Sequence, residues 1–84
     1  MDIVALKGNV EQVVRDGPLK DRIDAVVVEA DRDDDGTEFL RVVLHVDPRA
    51  KSTDAELVSL LELIERSVAN VDDRYASVRF SDAA

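Results

Sequence analysis

The chain has 84 residues, of which 45% are hydrophobic and 36% charged, and its net charge is −8. This balance is typical of a folded protein and excludes a disordered chain, and the length predicts a single small domain over residues 1–84 with a thin core. The absence of cysteine excludes disulfides and thiolate metal sites. Because no basic segment precedes a long apolar run, we expect a cytoplasmic protein without a signal peptide or membrane contact.

Apolar residues at helical spacing lie near the start of the chain. They recur every three or four residues and predict a helix over residues 2–16 whose buried stripe contains Ile3, Leu6, Val10, Val13 and Val14. Gly17 followed by Pro18 predicts the helix end, with the glycine in a left-handed cap. Since Gly8 weakens a helix interior, a helix that begins only at Asn9 is an alternative.

Two segments rich in β-branched residues follow, and residues 23–31 and 38–46 are predicted strands. Side chains alternate between the two faces of a strand. One face of the second strand therefore carries Leu40, Val42, Leu44 and Val46, and the other carries Phe39, Arg41, Val43 and His45. In the first strand, Val26, Val28 and Ala30 lie opposite Ala25, Val27 and Glu29.

The acidic segment DRDDDG, residues 31–36, joins the two strands and allows two interpretations. Asp31, Asp33 and Asp35 alternate as ligands do at the start of an EF-hand calcium loop. Such a loop needs a bidentate glutamate at its twelfth position and helices on both sides, whereas here the twelfth residue is Val42 and the flanks are strands. We therefore predict a hairpin turn, with the three aspartates as a weak candidate metal site only and no cofactor.

The register of the hairpin follows from its loop. A three-residue loop, 34–36, brings the apolar faces of the strands together, whereas a two-residue loop would mix the faces. Three-residue hairpins need a positive φ at their last position, which Gly36 supplies. The predicted pairs are Ala25–His45, Val26–Leu44, Val27–Val43, Val28–Val42, Glu29–Arg41 and Ala30–Leu40.

A second helix and a third strand complete the pattern. Residues 53–69 are predicted to be helical, with a capping box of Thr53 and Glu56, a left-handed Asn70 at the end, and a buried stripe of Leu57, Leu60, Leu61, Ile64 and Val68. Alternation over 74–80 predicts the third strand. This order predicts a two-layer α+β fold, with helices on one face of a small, mostly antiparallel or mixed three-stranded sheet. The partner of the third strand stays open.

The sheet face without helices is the predicted binding surface. It is more apolar than a solvated sheet face and combines aromatic residues with arginine, which often dominate binding energy. The predicted partner-binding residues are Val27, Phe39, Arg41, Val43, His45, Tyr75 and Arg79. Alternatively, long side chains simply shield this face. We expect no enzymatic activity, because no residue lies in a recognisable catalytic or phosphate-binding motif.

The string FLRVVLHVD, the TDAE-capped helix and the final strand resemble, over residues 23–80, the N-terminal domain of the bacterial ribosome maturation factor P family. That family has the same element order and assists assembly of the small ribosomal subunit, so the resemblance implies an RNA-associated or ribosome-associated role. The sequence departs from the family by ending in RFSDAA where the family has Ser-Ser-Pro-Gly, and it does not extend into the family's second domain. No functional residue is carried over.

The residues themselves favour a small acidic, non-catalytic module that binds itself as a dimer, or binds a partner protein, through the open sheet face. An acidic antitoxin or immunity-type protein is a further alternative, and the charge could also serve solubility alone. In the RNA alternative, Phe39 and Tyr75 stack on bases while Arg41, Arg79 and His45 lie near phosphates. The net charge of −8 makes nucleic acid the less favoured partner.

Overall fold

The computed structural model describes residues 2–49 and 52–82, except for the side chain of Asp82. Its elements are helix α1 (Ile3–Asp16), strands β1 (Ile23–Arg32) and β2 (Glu38–Val46), helix α2 (Asp54–Ala69) and strand β3 (Tyr75–Asp82). The strands form one mixed sheet in the order β1-β2-β3, and residues of both helices join its apolar face in one core. The predicted α+β fold is confirmed. Within the described residues, no helix is long and apolar enough to cross a membrane.

Helix α1 begins where its cap is available. The Asp2 carboxylate accepts a hydrogen bond from the Ala5 N–H at 2.8 Å, which satisfies one of the unpaired N–H groups of the first turn. Gly8 lies within the helix, so the alternative start at Asn9 is wrong. One weak residue does not outweigh the burial of the apolar stripe on both of its sides.

Gly17 ends α1 in an extended conformation, with φ −94° and ψ −178°, so the predicted left-handed cap is wrong. A Cβ atom at this position would lie 2.9 Å from the carbonyl oxygen of Val13 and 3.4 Å from Cδ1 of Leu60. Glycine is therefore favoured here because a Cβ atom would clash with the Val13 carbonyl of α1 itself, not because the backbone is left-handed.

Helix α2 has the predicted capping box. The Glu56 N–H donates to the Thr53 hydroxyl at 3.2 Å, and the Thr53 N–H donates to the Glu56 carboxylate at 3.1 Å. The predicted left-handed Asn70 is wrong, since its φ of −74° and ψ of −19° are helical. The N–H groups of Val71 and Asp72 both donate to the Val68 carbonyl, so the last turn is satisfied without a left-handed residue.

The β1–β2 hairpin has the predicted antiparallel register, with Val26 opposite Leu44 and Glu29 opposite Arg41. Asp33 and Thr37 close the loop through an N–H to carbonyl bond of 3.0 Å, and the Gly36 N–H donates to the Asp33 carbonyl at 2.9 Å. Gly36 has a φ of 81°, as the three-residue hairpin requires. Turn and face matching agree, and this agreement fixes the register.

Strand β3 pairs with β2, and the pair is parallel, which resolves the question left open by the sequence. A parallel neighbour needs a crossover connection, and α2 supplies it by returning the chain across one face of the sheet. Tyr75 thereby lies opposite Phe39, and Arg79 opposite Val43.

The core lies between the helices and the sheet, and it contains most of the residues that alternation and helical spacing predicted. The prediction is wrong for three residues, Ala30, Val46 and Leu61, which lie outside the core. The buried members of the core include Leu6, Val10 and Val14 of α1, Leu60, Ile64 and Val68 of α2, and Val26, Val28, Leu40, Val42 and Leu44 of the sheet. Leu19, in the turn between α1 and β1, is also fully buried. Sequence periodicity could not find Leu19, because a single apolar residue in a turn has no repeat.

Candidate interaction surface on the open sheet face

Strand pairing arranges the side chains of the open sheet face in rows across the three strands. The helix-facing residues of each strand join the core, so the residues that alternate with them face outward. From the hairpin end, the rows are Asp31–Phe39–Tyr75, Glu29–Arg41–Ser77, Val27–Val43–Arg79 and Ala25–His45–Ser81. All seven predicted partner-binding residues therefore lie on one surface.

An aromatic pair occupies the first row. The rings of Phe39 and Tyr75 stack with their centroids 5.3 Å apart and an interplanar angle of 12°. The Arg41 guanidinium carbon lies 5.5 Å from the centre of the Phe39 ring, which makes a cation–π contact. Phe39 is only 8% exposed as a result, whereas Tyr75 is 49% exposed. Of the two aromatic residues, Tyr75 is therefore the one that a partner could contact directly.

Arg41 is held by a carboxylate next to the aromatic pair. Its Nη2 atom lies 2.7 Å from Oδ2 of Asp31, so the ion pair is diagonal and does not use Glu29, the residue directly opposite. The backbone N–H of Arg32, and then the Arg41 guanidinium, lower the pKa of Asp31 below its ordinary value. The ion pair keeps the guanidinium beside the Phe39 ring.

The hairpin loop also reaches this cluster. The Asp33 carboxylate accepts hydrogen bonds from the backbone N–H groups of Asp35 and Thr37, both at 3.0 Å, and from the Tyr75 hydroxyl at 3.2 Å. Partial burial of the phenol, together with this hydrogen bond to Asp33, raises the pKa of Tyr75 above its ordinary value. The loop therefore helps to orient the exposed aromatic residue.

A second arginine joins the turn before β3 to the hairpin. The Arg74 guanidinium donates to the Asp72 carboxylate at 2.9 Å and lies 3.9 Å from that of Glu38. The side-chain hydrogen bonds from Arg74, and then its backbone N–H, hold the pKa of Asp72 far below its ordinary value. This pairing anchors the start of β3 beside β2.

Two of the three aspartates that resemble a calcium loop have other contacts. Asp31 pairs with Arg41, and Asp33 organises the turn. Among residues 2–49 and 52–82, no group of three or more histidine, cysteine, aspartate or glutamate side chains could hold a metal ion. The segment acts in this structure as a hairpin loop between two strands.

Five residues of these rows are absent from the predicted binding set, namely Ala25, Glu29, Asp31, Ser77 and Ser81. Asp31 lies within the predicted strand 23–31 and has the parity of Glu29, but the sequence indicated it only as a weak metal ligand. Ser81 has the parity of Arg79 and lies one residue beyond the predicted end of the third strand. The contact between Asp33 and Tyr75 joins residues 42 positions apart, and no local pattern signals it.

Comparisons with known protein families, with curated proteins and with solved structures found no match for this chain. The resemblance to the ribosome maturation factor P layout therefore stays a prediction. The function has to be inferred from the open sheet face itself.

Proposed function

We propose that this chain is a non-catalytic protein-binding module whose open sheet face binds a partner protein of net positive charge. The observation that carries the proposal is the cluster of Phe39, Tyr75 and Arg41, in which a half-exposed tyrosine stacks on a buried phenylalanine next to a paired arginine. Tyrosine and arginine are enriched among the residues that contribute most to binding at protein interfaces.

The cluster is organised before any partner arrives. The Tyr75 ring is held on one side by Phe39 and at its hydroxyl by Asp33, and Arg41 is held by Asp31. Side chains that are already ordered lose less conformational entropy on binding, so more of the contact energy contributes to affinity. This supports a role as a contact surface rather than as shielding alone.

The charges around the cluster favour protein over nucleic acid. Asp31 and Glu29 lie in the same rows as the aromatic residues and Arg41, and the acidic hairpin loop borders the first row. A phosphate backbone would meet these carboxylates as well as the arginines. A basic protein, by contrast, would be attracted by the net charge of −8 and could pair with carboxylates at the rim.

The test compares face variants with matched variants on the helical side. The chain is immobilised and exposed to a lysate of its source cells, and bound proteins are identified for the unmodified chain, Tyr75→Ala and Arg79→Ala, which remove the two exposed contact side chains. Val58→Ala is the control for Tyr75→Ala, because Val58 is 53% exposed on α2 while Tyr75 is 49% exposed. Arg66→Ala, also exposed on α2, repeats the charge change of Arg79→Ala.

We expect the two face variants to lose a protein that the unmodified chain and both α2 controls retain, with circular dichroism unchanged in all of them. The affinity of the purified pair should then fall at least about tenfold in Tyr75→Ala, as is typical of a central aromatic contact. Equal capture by the face variants and the controls would contradict the proposal. Recovery of RNA that depends on Arg41 and Arg79 would support the RNA alternative instead.

A further inference from the structure

The two edges of the sheet differ in how well they are protected from pairing. β1 has a register irregularity between Ile23 and Ala25. Its charged residues are Asp24, Glu29, Asp31 and Arg32. Bulges and charges are the usual protection of edge strands. β1 is therefore a poor edge for another strand.

Strand β3 is less protected, since it has no register irregularity and fewer charged residues than β1. It runs in unbroken register along β2 from Tyr75 to Asp82, contains no proline, and has Arg79 as its one charged residue between 75 and 81. Its other side has no strand neighbour among the residues that the structure describes. The helix-facing residues Ala76, Val78 and Phe80 are only partly buried, since they lie at the border of the core.

We propose that the outer edge of β3, on the side away from β2, pairs antiparallel with β3 of a second copy of this chain, about a two-fold axis at Val78. The result is a continuous sheet of six strands, three from each copy. This inference concerns the edge of β3 and does not rest on the proposed function of the open face.

The register follows from the two faces of the strand and from charge. Residues directly opposite in an antiparallel pair have side chains on the same face, so the two-fold axis must pass through a residue. An axis at Arg79 would place the two arginines opposite each other, which is destabilising. An axis at Ser77 would pair only residues 75–79, whereas an axis at Val78 pairs residues 75–81 of the strand.

The strand is self-complementary in this register. On the helical side, Val78 lies opposite its own copy and the small Ala76 lies opposite the large Phe80, which completes the burial of the three residues at the border of the core. On the open side, Ser77 lies opposite Arg79. Both copies contribute the same surface, as a two-fold dimer requires.

The dimer also enlarges the open face. Three strands about 4.8 Å apart and nearly 9 residues long present only about 400 Å² in projection. Six strands present about 800 Å², which is near the area that one partner contributes to a standard protein interface. The two Phe39–Tyr75 pairs then lie on one continuous surface.

Cross-linking tests the register. The chain contains no cysteine, so a single introduced thiol can react only with its copy. We expect Val78→Cys to give a covalent dimer with an oxidant or a short bis-maleimide, because opposite residues have Cβ atoms about 4.5–5.5 Å apart. Ala25→Cys, on the open face of β1, is the matched control at the other edge and should stay monomeric.

Sedimentation over a range of concentrations tests the energetics. Ser77→Arg places like charges opposite Arg79 twice by symmetry, and we expect the dissociation constant to rise about tenfold. Ser77→Asp should lower it by a similar factor. Ser59→Arg, at an exposed position on α2, repeats the charge change away from β3 and should leave association unchanged. Circular dichroism checks that each variant is folded.

A chain that stays monomeric at every concentration, or that cross-links through Ala25→Cys, would overturn the inference. So would equal association of Ser77→Arg and Ser77→Asp. The dimer and the proposed function can fail separately. A monomer that still captures its partner through Tyr75 refutes only the dimer. A dimer that captures no partner through the open sheet face refutes only the proposed function.

Discussion

Replacing Phe39 tests whether the aromatic cluster supports the fold as well as the binding surface. Phe39 lies on the open face but is only 8% exposed, because Tyr75 and Arg41 cover its ring. Removing a buried phenylalanine ring costs about 3–5 kcal/mol in protein cores. The covering side chains of Tyr75 and Arg41 can partly collapse into the space left by the ring. We therefore expect Phe39→Ala to lower the free energy of unfolding by about 3 kcal/mol, at the lower end of that range.

That loss is large for this chain. A domain of this size has a total stability of roughly 5 kcal/mol, so Phe39→Ala should approach partial unfolding at physiological temperature. Phe39→Leu keeps most of the apolar contact and loses the ring stacking and the cation–π contact, and we expect it to cost about 1–2 kcal/mol. Tyr75→Ala should cost less than Phe39→Ala, because the tyrosine is already half exposed.

Urea denaturation followed by circular dichroism measures these differences. The midpoint should shift while the slope of free energy against urea stays constant, since none of the variants changes the surface exposed on unfolding very much. Phe39→Ala could instead unfold at the same urea concentration as Tyr75→Ala and still lose partner binding. That result would refute the reasoning, because Phe39 would then be an exposed contact residue, as the sequence suggested.

Three further predictions concern stability and titration. Gly8→Ala should raise the free energy of unfolding by about 1 kcal/mol, because a Cβ there meets no atom within 4 Å. Gly17→Ala should lower the free energy of unfolding by about 1–3 kcal/mol, because its Cβ would lie 2.9 Å from a backbone oxygen. Equal shifts of the urea midpoint in the two variants would refute this. Because the pKa of Asp72 is lower in the folded state, the stability it contributes is present above about pH 4 and lost as the pH falls, so Asp72→Asn should flatten the acid limb of a stability–pH curve. Tyr75 is the one tyrosine of a chain without tryptophan, so phenolate absorbance should titrate above its ordinary pKa of 10.0, and less so in Asp33→Asn.

The hairpin could be predicted from sequence because two independent constraints agree. Parity requires that the apolar faces of β1 and β2 meet, and the three-residue loop requires a positive φ at Gly36. A slip by one residue would violate both. The same reasoning gave the strands and helices to within two residues, because apolar alternation and helical spacing are repeated signals.

The errors occur where a single residue or a distant contact decides the geometry. Gly17 and Asn70 follow helices and fit a left-handed cap by composition. Instead, the extended Gly17 donates its N–H to the Val14 carbonyl, and the N–H groups of Val71 and Asp72 donate to the Val68 carbonyl. The parallel pairing of β3 follows from the path of α2, which the local sequence does not determine.

The candidate surface was predictable in outline but not in its internal contacts. Parity placed Phe39, Arg41 and Tyr75 on one face, yet parity does not reveal which side chain covers which. The stack that buries Phe39 and exposes Tyr75 depends on β3 lying next to β2, and the choice of Asp31 over Glu29 by Arg41 depends on side-chain reach. For that reason the sequence predicted Phe39 and Tyr75 as equivalent contact residues, whereas in the structure Phe39 is buried and Tyr75 is half exposed.

The acidic segment that resembles a metal loop links the strand register to the side-chain contacts of the candidate surface. Asp33 accepts hydrogen bonds from the N–H groups of the loop and from the hydroxyl of Tyr75, so the same carboxylate shapes the turn and orients the exposed ring. Because the turn sets the register of β1 and β2, it also decides that Asp31 lies next to Phe39 and within reach of Arg41. The segment therefore contributes to the candidate surface by positioning its side chains. A disordered loop would be expected to loosen Tyr75 even if every contact residue were unchanged.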